Sequence, residues 1–416
     1  AGGKLQIGNN GTSGTLASGA VTVTSATLSF KRSDSLTVAN TISGTGSLSQ
    51  DGSGTTTLTG TLSYSGATTV NAGKLFINTS QTTSARTVNS GGTIGGNNSI
   101  GGVTVNNGGT VTGGNGSGVG TATMSSLSLG STGTDTLTIN VVPGAGGSSI
   151  AVSTSNGLTN NGVTTFNCTG TALNTPGTYT LATYSGSLQG SGTWAVTLPP
   201  RITGSLSFAT AGQINLVING TDTIRWKGGV SGTWDTTTTN WAEIISGNPA
   251  VFINGTPGDT VTFDEALTAN AAVTLNSTFT PAAVTVSNSS TAYSLSGSGK
   301  ITGATTTLTK NGTGTFTLGN SGGNDYAGGT TIANGTLQLG TANALPTAGS
   351  VSLTGTLDLN ANSQQLGDLT GAGTVTSSAA GTPTLTVANG SANTFSGVVA
   401  NGSGTTALTK SGAGTL

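Results

Sequence analysis

The sequence predicts an all-β protein in which short strands stack turn upon turn as a β-solenoid. Three observations support this fold class. Gly contributes 71 of 416 residues, while only 6% of residues are charged and 33% are hydrophobic. Apolar–polar–apolar triplets recur along the chain, and a unit of about 30 residues repeats within it. Short strands separated by tight turns account for all three features.

The composition favours strands over helices and a folded chain over a disordered one. Thr, Val, Ile and Leu are typical of strands, and Gly, Asn and Ser of turns. Disorder needs low hydrophobicity or high net charge, whereas the net charge here is −1. We expect no nucleic-acid partner, because the 11 Lys and Arg residues are scattered. We also expect no membrane-spanning segment, because no apolar run approaches ~18 residues.

The triplets are the clearest local signal of secondary structure. Alternation of apolar and polar residues places one side of a strand in the core and the other in solvent. Typical triplets are Leu36-Thr37-Val38, Val103-Thr104-Val105, Leu137-Thr138-Ile139 and Val284-Thr285-Val286. Their medium-sized apolar residues predict a narrow core that is filled one turn at a time.

Internal repeats predict how the strands are stacked. Segment 48–58 (LSQDGSGTTTL) aligns with segment 308–318 (LTKNGTGTFTL), followed by alignments of 64–70 with 326–332 and of 73–77 with 335–339. A third copy begins at Leu408, and segment 3–7 resembles the second half of a copy. Units that cannot bury their own apolar face are typical of stacked arrays. Glycines are expected at corners that need a positive φ angle.

Segment 308–340 follows the pattern LTKxGxGTxTL…YxGGTTxxxGTLQLG and resembles the autotransporter-associated β-strand repeat of bacterial surface proteins. Segment 341–345 resembles the usual continuation of that repeat, and segment 226–241 resembles a linker between its blocks. The resemblance covers roughly 1–140 and 290–416. It implies a right-handed parallel β-helix, an extracellular or cell-surface location and a structural or adhesive role. It brings no catalytic residues and no cofactor.

The chain is predicted to have four regions. Residues 1–140 are solenoid repeats, and 141–221 are irregular solenoid rungs with four prolines. Residues 222–268 are an insertion or linker that contains three tryptophans, and 269–416 are again solenoid repeats.

The three clustered tryptophans are the most informative candidate site. Trp226, Trp234 and Trp241 could form an exposed platform on which glycan rings stack. Alternatively, the three rings are buried and anchor a segment that has little other core. The sequence favours burial.

Catalytic and metal-binding constellations are absent from the sequence pattern. His does not occur, which excludes Ser-His-Asp triads, and the single Cys168 is expected to be a small buried side chain. Asp264 and Glu265 form an adjacent acidic pair. Neighbours in a strand point to opposite faces, so the two carboxylates would not converge on one substrate atom. We therefore expect a solvated turn at this pair rather than a catalytic site. Segment 322–325 (GGND) is a single copy and predicts a turn rather than a calcium site. No catalytic, cofactor-binding or metal-binding residue is predicted.

These features together predict a non-enzymatic, extracellular β-solenoid that is a segment of a long surface or filament protein. The ends predict continuation into a longer chain or end-to-end self-association, and surface glycans are a candidate partner. The alternative is a carbohydrate-binding or carbohydrate-active β-helix. A weaker alternative is ice binding through outward Thr pairs, as at Thr55-Thr56-Thr57. The irregular spacing of the triplets argues against ice binding.

Overall fold

The computed structural model describes residues 2–115, 118–255 and 258–416. Residues 1 and 116–117 of the predicted region 1–140, and 256–257 of the predicted region 222–268, lie outside the described residues. The chain divides into two units, Ala1–Thr221 (unit 1) and Asp222–Leu416 (unit 2). Buried apolar side chains form one core cluster within each unit. Each unit therefore has its own hydrophobic core.

Unit 1 consists of short strands in which buried and more exposed side chains alternate, as the triplets predict. The strands are β1 (Lys4–Ile7), β2 (Val21–Thr22), β3 (Thr27–Phe30), β4 (Ser35–Val38), β5 (Ile42–Ser43), β6 (Ser47–Gln50), β7 (Thr55–Leu58), β8 (Thr68–Val70), β9 (Gly73–Ile77), β10 (Arg86–Val88), β11 (Gly92–Gly95), β12 (Val103–Val105), β13 (Thr110–Thr112), β14 (Gly120–Met124), β15 (Leu127–Leu129), β16 (Thr136–Val141), β17 (Ser148–Val152), β18 (Leu158–Asn160), β19 (Val163–Cys168), β20 (Gly177–Tyr184), β21 (Thr193–Thr197), β22 (Ile202–Ser207) and β23 (Gln213–Thr221). A 3-10 turn, Thr171–Asn174, lies between β19 and β20.

Parallel sheets form the walls of unit 1. Sheet 1 has the order β1-β3-β6-β8-β10-β12-β15-β18, and sheet 2 has the order β21-β19-β16-β13-β11-β9-β7-β4. Strands β2 and β5 pair separately. Each sheet takes one strand from each successive turn of the chain. Stacked apolar residues therefore fill the core, as in the column Leu75, Ile94, Val111, Ile139 and Phe166.

A third sheet, with the order β14-β17-β20-β23-β22, changes its strand direction within unit 1. Strands β14, β17 and β20 pair in parallel, whereas β23 pairs antiparallel with both β20 and β22. The pairing of β20 with β23 contains a register shift between Thr180 and Ala182. Parallel stacking thus gives way to an antiparallel arrangement in the last strands of the unit.

Unit 2 has the same kind of short strand. They are β24 (Ile224–Trp226), β25 (Thr233–Trp234), β26 (Trp241–Glu243), β27 (Pro249–Ala250), β28 (Thr260–Phe263), β29 (Ala272–Leu275), β30 (Thr278–Phe279), β31 (Ala283–Val286), β32 (Tyr293–Ser296), β33 (Lys300–Ile301), β34 (Thr307–Lys310), β35 (Thr315–Leu318), β36 (Thr330–Ile332), β37 (Thr336–Leu339), β38 (Ser350–Leu353), β39 (Thr356–Asp358), β40 (Gln364–Leu366), β41 (Asp368–Gly371), β42 (Thr374–Thr376), β43 (Thr384–Val387), β44 (Val398–Val399) and β45 (Ala407–Lys410).

Three larger sheets build unit 2, together with the pair β30–β33. Sheet 4 has the order β27-β26-β24-β28-β31-β34-β36-β38-β41, sheet 5 is β25-β29-β32-β35-β37-β39-β42-β44, and sheet 6 is β40-β43-β45. Within sheet 4, strands β24, β26 and β27 pair antiparallel, and the later strands pair in parallel. The core again contains stacked columns, such as Tyr293, Phe316, Leu337, Leu357 and Val375.

This architecture confirms the predicted all-β parallel solenoid. A strand with period-two alternation has only one apolar face to bury. Stacking similar turns buries that face and gives each inner strand two hydrogen-bonded neighbours. Glycines occupy the corners where the repeats require them. Gly73 and Gly335 hold equivalent places in the two repeats, with φ angles of 60° and 61°. A Cβ on either would lie 2.3–2.4 Å from a backbone oxygen of the preceding turn.

A buried hydroxyl pair also recurs in the two repeats. The Tyr64 and Thr68 side-chain oxygens lie 2.7 Å apart, and those of Tyr326 and Thr330 lie 2.8 Å apart. Both tyrosines are 1% exposed. A buried hydroxyl group without a hydrogen-bond partner destabilises the folded state. Each pair satisfies both hydroxyls and so fixes the loop that carries the tyrosine to the strand that carries the threonine. The repeat thus conserves an internal hydrogen bond as well as an apolar pattern between its two copies.

Candidate binding surfaces

The outer face of sheet 4 carries a column of hydroxyl side chains. The register pairs Thr262 with Thr285 and continues the column through Thr309, Thr331, Ser352 and Thr370. The first five members each lie between two buried positions of their strand, and Thr370 lies between the buried Leu369 and the half-buried Gly371. All six are themselves half-buried or exposed. The face is therefore uncharged along this column and rich in hydrogen-bonding groups. The column is not visible in the sequence, because its members are 18 to 24 residues apart.

The neighbouring column of sheet 4 interrupts the hydroxyl pattern. Two residues earlier in the strands stand Thr260, Ala283 and Thr307, followed in later turns by Ser350 and Asp368. Ala283 and Asp368 break any continuous array of hydroxyl pairs. The register thus aligns the outward hydroxyls of sheet 4 although the triplets are unevenly spaced, but sheet 4 carries no continuous paired Thr lattice of the kind that ice binding requires.

Unit 1 presents a comparable hydroxyl column on sheet 1, formed by Thr69, Thr87, Thr104, Ser128 and Thr159. Beside it runs a ladder of side-chain amides. Asn71 Nδ2 donates to Asp51 Oδ1, Asn89 Nδ2 to Asn71 Oδ1, and Asn106 Nδ2 to Asn89 Oδ1, each at 2.7 Å. The sequence does hold a signal for this ladder, because each of these asparagines directly follows a Thr-Val pair.

Asp51 anchors the amide ladder. Burial opposes its ionisation, yet hydrogen bonds from Lys4, Ser29, Asn71 and Ser49 outweigh that effect and lower the pKa of the carboxyl well below its usual range. The ion pair with Lys4 has an Nζ–Oδ2 distance of 2.8 Å. The carboxylate therefore acts as a fixed acceptor for the ladder.

The three predicted site tryptophans lie together in the core of unit 2. Trp226, Trp234 and Trp241 are 0%, 1% and 1% exposed. Trp241 makes edge-on contacts with both of the others, at ring-centroid distances of 4.9 and 5.2 Å. Phe252, Phe263, Phe279 and Tyr293 extend the cluster.

This aromatic cluster joins the antiparallel strands β24–β27 to the first parallel strands of unit 2. Trp226 Nε1 donates to the carbonyl oxygen of Asn270 at 2.9 Å. Asp222 fixes the same segment, because its carboxylate accepts the backbone N–H groups of Thr223, Ile244, Ile245 and Ser246. As packed, the three indoles offer no exposed face, and glycan stacking on them stays a prediction.

The acidic pair Asp264 and Glu265 points to separate partners. Asp264 Oδ1 accepts the backbone N–H of Ala266 at 2.9 Å, and its other oxygen lies 3.5 Å from Arg225 Nη1. Glu265 instead accepts backbone N–H groups of Ser289 and Ser290. These bonds, with those from the Ser290 and Thr291 hydroxyls, lower the pKa of Glu265 well below its usual range. Each carboxylate therefore accepts backbone N–H groups at a turn or bend, as expected, and the two share no partner among these bonds.

The other sequence candidates also have structural partners. Cys168 is free and buried, and burial raises the pKa of its thiol to about 12. Asp325, from the GGND segment, pairs with Lys300 at 2.6 Å, and the Asn324 amide bonds within the core. In residues 2–115, 118–255 and 258–416, no group of three or more His, Cys, Asp or Glu side chains is placed to hold a metal ion.

A groove on unit 2 was not foreseen from the sequence. Segments 324–327 and 346–350 and Asp368 enclose a hollow of about 320 Å³. A second hollow, of about 390 Å³, adjoins it and shares Thr347, Ala348 and Asp368. We call the two hollows together the groove. No motif marks it, because its walls come from separate turns of the solenoid.

Comparison with known families explains the repeated segments. The family model described as "Passenger-associated-transport-repeat" matches residues 48–75 and 308–339. Two segments of the chain are thus similar to this repeat family. Both matches coincide with the repeats that the sequence alignment predicts, so the predicted resemblance to the autotransporter-associated repeat is confirmed. In the structure the matched segments span β6 to β9 and β34 to β37.

A curated relative carries similar sequence. The Adhesin BmaC autotransporter of Brucella suis biovar 1 (strain 1330) is 52% identical over 94 residues, which make up 21% of this chain and 3% of that protein. The match thus covers a small part of a far longer protein. Passenger-associated-transport-repeats and this relative agree with the predicted extracellular or cell-surface location. Within the described residues, no helix is long and apolar enough to cross a membrane.

Proposed function

We propose that this chain is a non-enzymatic, adhesive segment of a long surface protein and that its solenoid units display binding faces outside the cell. The observation that carries the proposal is that each unit holds one segment matching the passenger-associated-transport-repeat, within its parallel sheets. The adhesin relative supports the adhesive part of the proposal. Its much greater length supports a role as part of a longer chain.

The character of the outer faces fits adhesion better than chemistry. Hydroxyl columns and the amide ladder offer many weak hydrogen bonds over a regular surface, and repetition of weak contacts gives avidity. A net charge of −1 leaves little repulsion between copies or towards another surface. End-to-end or lateral self-association of copies belongs to the same proposal.

The arrangement of acidic groups supports the non-enzymatic part. Glycoside hydrolysis uses two carboxyl groups that face one bond, roughly 5 to 9.5 Å apart. The adjacent acids Asp264 and Glu265 are instead held by separate turns. We expect no turnover of pectin, glucan or chitin by the 416-residue protein. Turnover that disappears in Asp264→Asn would contradict this part of the proposal.

Adhesion is tested with beads that carry the whole chain. Beads coated with the protein should be retained on cultured epithelial cells, on bacterial lawns or on each other, whereas albumin-coated beads should not. A high concentration of free protein should reduce the retention of the beads, because it competes for the same specific contacts. Retention no greater than that of albumin beads on all three surfaces would overturn the adhesive role.

A further inference from the structure

A continuous series of side-chain hydrogen bonds joins six successive turns of unit 1. Sheet 1 takes one strand from each of these turns, in the order β1-β3-β6-β8-β10-β12. Asp51 directly follows β6, and its Oδ2 accepts Lys4 Nζ of β1 at 2.8 Å, Ser29 Oγ of β3 at 2.7 Å and Ser49 Oγ of β6 at 2.9 Å. The amide ladder continues from Oδ1 of the same carboxylate through the next three turns. Lys4 thus reaches past β3 to a carboxylate two turns away.

The ladder arises from a short motif that recurs in the sequence. Thr-Val-Asn occupies 69–71, 87–89 and 104–106, and each asparagine directly follows a strand of sheet 1. The backbone N–H of each asparagine also donates to the preceding turn, at 2.8–2.9 Å. The backbone and the side chain of one residue therefore join the same two turns. Separating these turns must break both bonds.

The matching column of unit 2 shows that the repeat folds without the ladder. The repeat alignment places Asn311 where Asp51 stands in unit 1. The neighbouring turns contribute Ser287, Ala333 and Thr354 to that column. Only one of these four side chains is an amide, so the column cannot form an amide ladder. The ladder is therefore an addition of unit 1 to a turn that is stable without it.

We propose that the amide ladder and the bonds to Asp51 form a clamp that makes residues 4–106 resist tension as one block. The inference rests on the proposed adhesive function, because a surface protein that holds another surface transmits the pulling force along its own chain.

The cooperativity of the ladder is the physical reason for the clamp. A single side-chain hydrogen bond at the surface contributes little net stability. Asn89, however, donates to Asn71 and accepts from Asn106, and hydrogen bonds in such a series strengthen one another. Breaking one member weakens its neighbours. The six turns should therefore separate together under tension rather than one at a time.

Optical tweezers test the clamp on the whole chain. One handle is attached through an N-terminal peptide tag and the other through Gly133→Cys, at an exposed position with open space beside its Cα. Cys168 is buried and does not compete for the handle. At about 3.4 Å per residue, release of residues 4–106 in one event lengthens the chain by about 350 Å, whereas a turn of 20 residues, as from Leu28 to Leu48, gives about 70 Å. A single event of about 350 Å is expected, and release in steps of one turn would overturn the proposal.

A variant and its matched control locate the clamp. Asn89→Ala removes the middle of the ladder and keeps the backbone bond, so residues 4–106 should release in at least two events and at a lower force. Thr87→Ala is the control, because Thr87 lies on the same turn and the same face as Asn89 but outside the ladder. This control should release as the unaltered chain does. Circular dichroism confirms that both variants fold. A folded Asn89→Ala protein that releases in one event at unchanged force would show that the ladder is not the clamp.

The bead assay separates this inference from the proposed function. If beads adhere but the unaltered chain releases one turn at a time, the clamp is wrong and the adhesive role stands. If no surface retains the beads but the single event occurs and Asn89→Ala divides it, the clamp stands and the adhesive role is wrong.

Discussion

Gln50 and Lys310 occupy equivalent positions in the two segments that match the passenger-associated-transport-repeat, and they donate to equivalent backbone oxygens. Gln50 Nε2 donates to the Gly52 carbonyl at 2.9 Å, and Lys310 Nζ donates to the Gly312 carbonyl. Both side chains are buried. The position therefore needs a donor that holds the following glycine loop, and a positive charge is dispensable there.

Lys310→Gln should raise the stability of unit 2 at neutral pH. Burial lowers the pKa of Lys310 to about 8 from 10.5. Between these two values the unfolded chain binds the proton and the folded chain does not, so stability rises with pH across that window. The glutamine variant should lose this pH dependence. Its free energy of unfolding at pH 7 should be higher than that of the unaltered chain by on the order of 1 kcal/mol. Urea unfolding from pH 7 to 10.5 measures both effects.

Lys410→Gln is the matched control, because Lys410 holds the equivalent position in the third copy but is exposed. This control should leave the pH dependence as it is in the unaltered chain. A slope above pH 8 that persists in Lys310→Gln would show that another group causes it.

Gly335→Ala should destabilise unit 2 by more than about 2 kcal/mol. Its positive φ angle costs an L-residue roughly 1–2 kcal/mol, and its Cβ would also lie 2.4 Å from the Gly312 oxygen. Gly323→Ala provides the comparison, because Gly323 has a φ angle of 74° but open space around it. The Gly323→Ala variant should lose only the stability that corresponds to the cost of a positive φ angle. Equal losses in denaturant unfolding would mean that the close approach of the turns is unimportant.

Trp234→Ala should destabilise unit 2 by roughly 3–5 kcal/mol, the usual cost of truncating a buried large aromatic side chain. Trp194→Ala, in unit 1, is the comparison, because Trp194 is only half-buried and stacks on Phe166 at 5.7 Å. Thermal unfolding should show the larger loss for Trp234→Ala. Unchanged stability together with lost glycan binding would instead favour the exposed-platform hypothesis.

Cys168 should be inert in the folded protein. The thiolate is the reactive form, and burial raises the pKa of this thiol to about 12. We expect no labelling by iodoacetamide at pH 8 in native buffer and one label per chain in guanidinium chloride. Rapid labelling of the native protein would show that β19 opens readily.

Much of the fold was readable from local pattern. The Val103-Thr104-Val105 triplet became β12 with its Thr exposed, and the aligned glycines Gly73 and Gly335 both adopt positive φ angles. These features are local, because side-chain alternation and corner geometry are set within a few residues. The resemblance of segment 308–340 to the autotransporter-associated repeat was likewise visible in its local pattern.

Register and proximity were decided by the tertiary structure. The turns of the solenoid differ in length, and their lengths decide which residues become neighbours in the Thr262–Thr370 column. The triplets do not specify these lengths. The groove joins Tyr326 to Asp368 and Ala388 because they share a corner of the stack, although they are far apart in sequence. The sequence alone determined the strands, the corners and the repeat. Only packing in three dimensions could place outward side chains of different turns side by side, because that depends on long-range pairing.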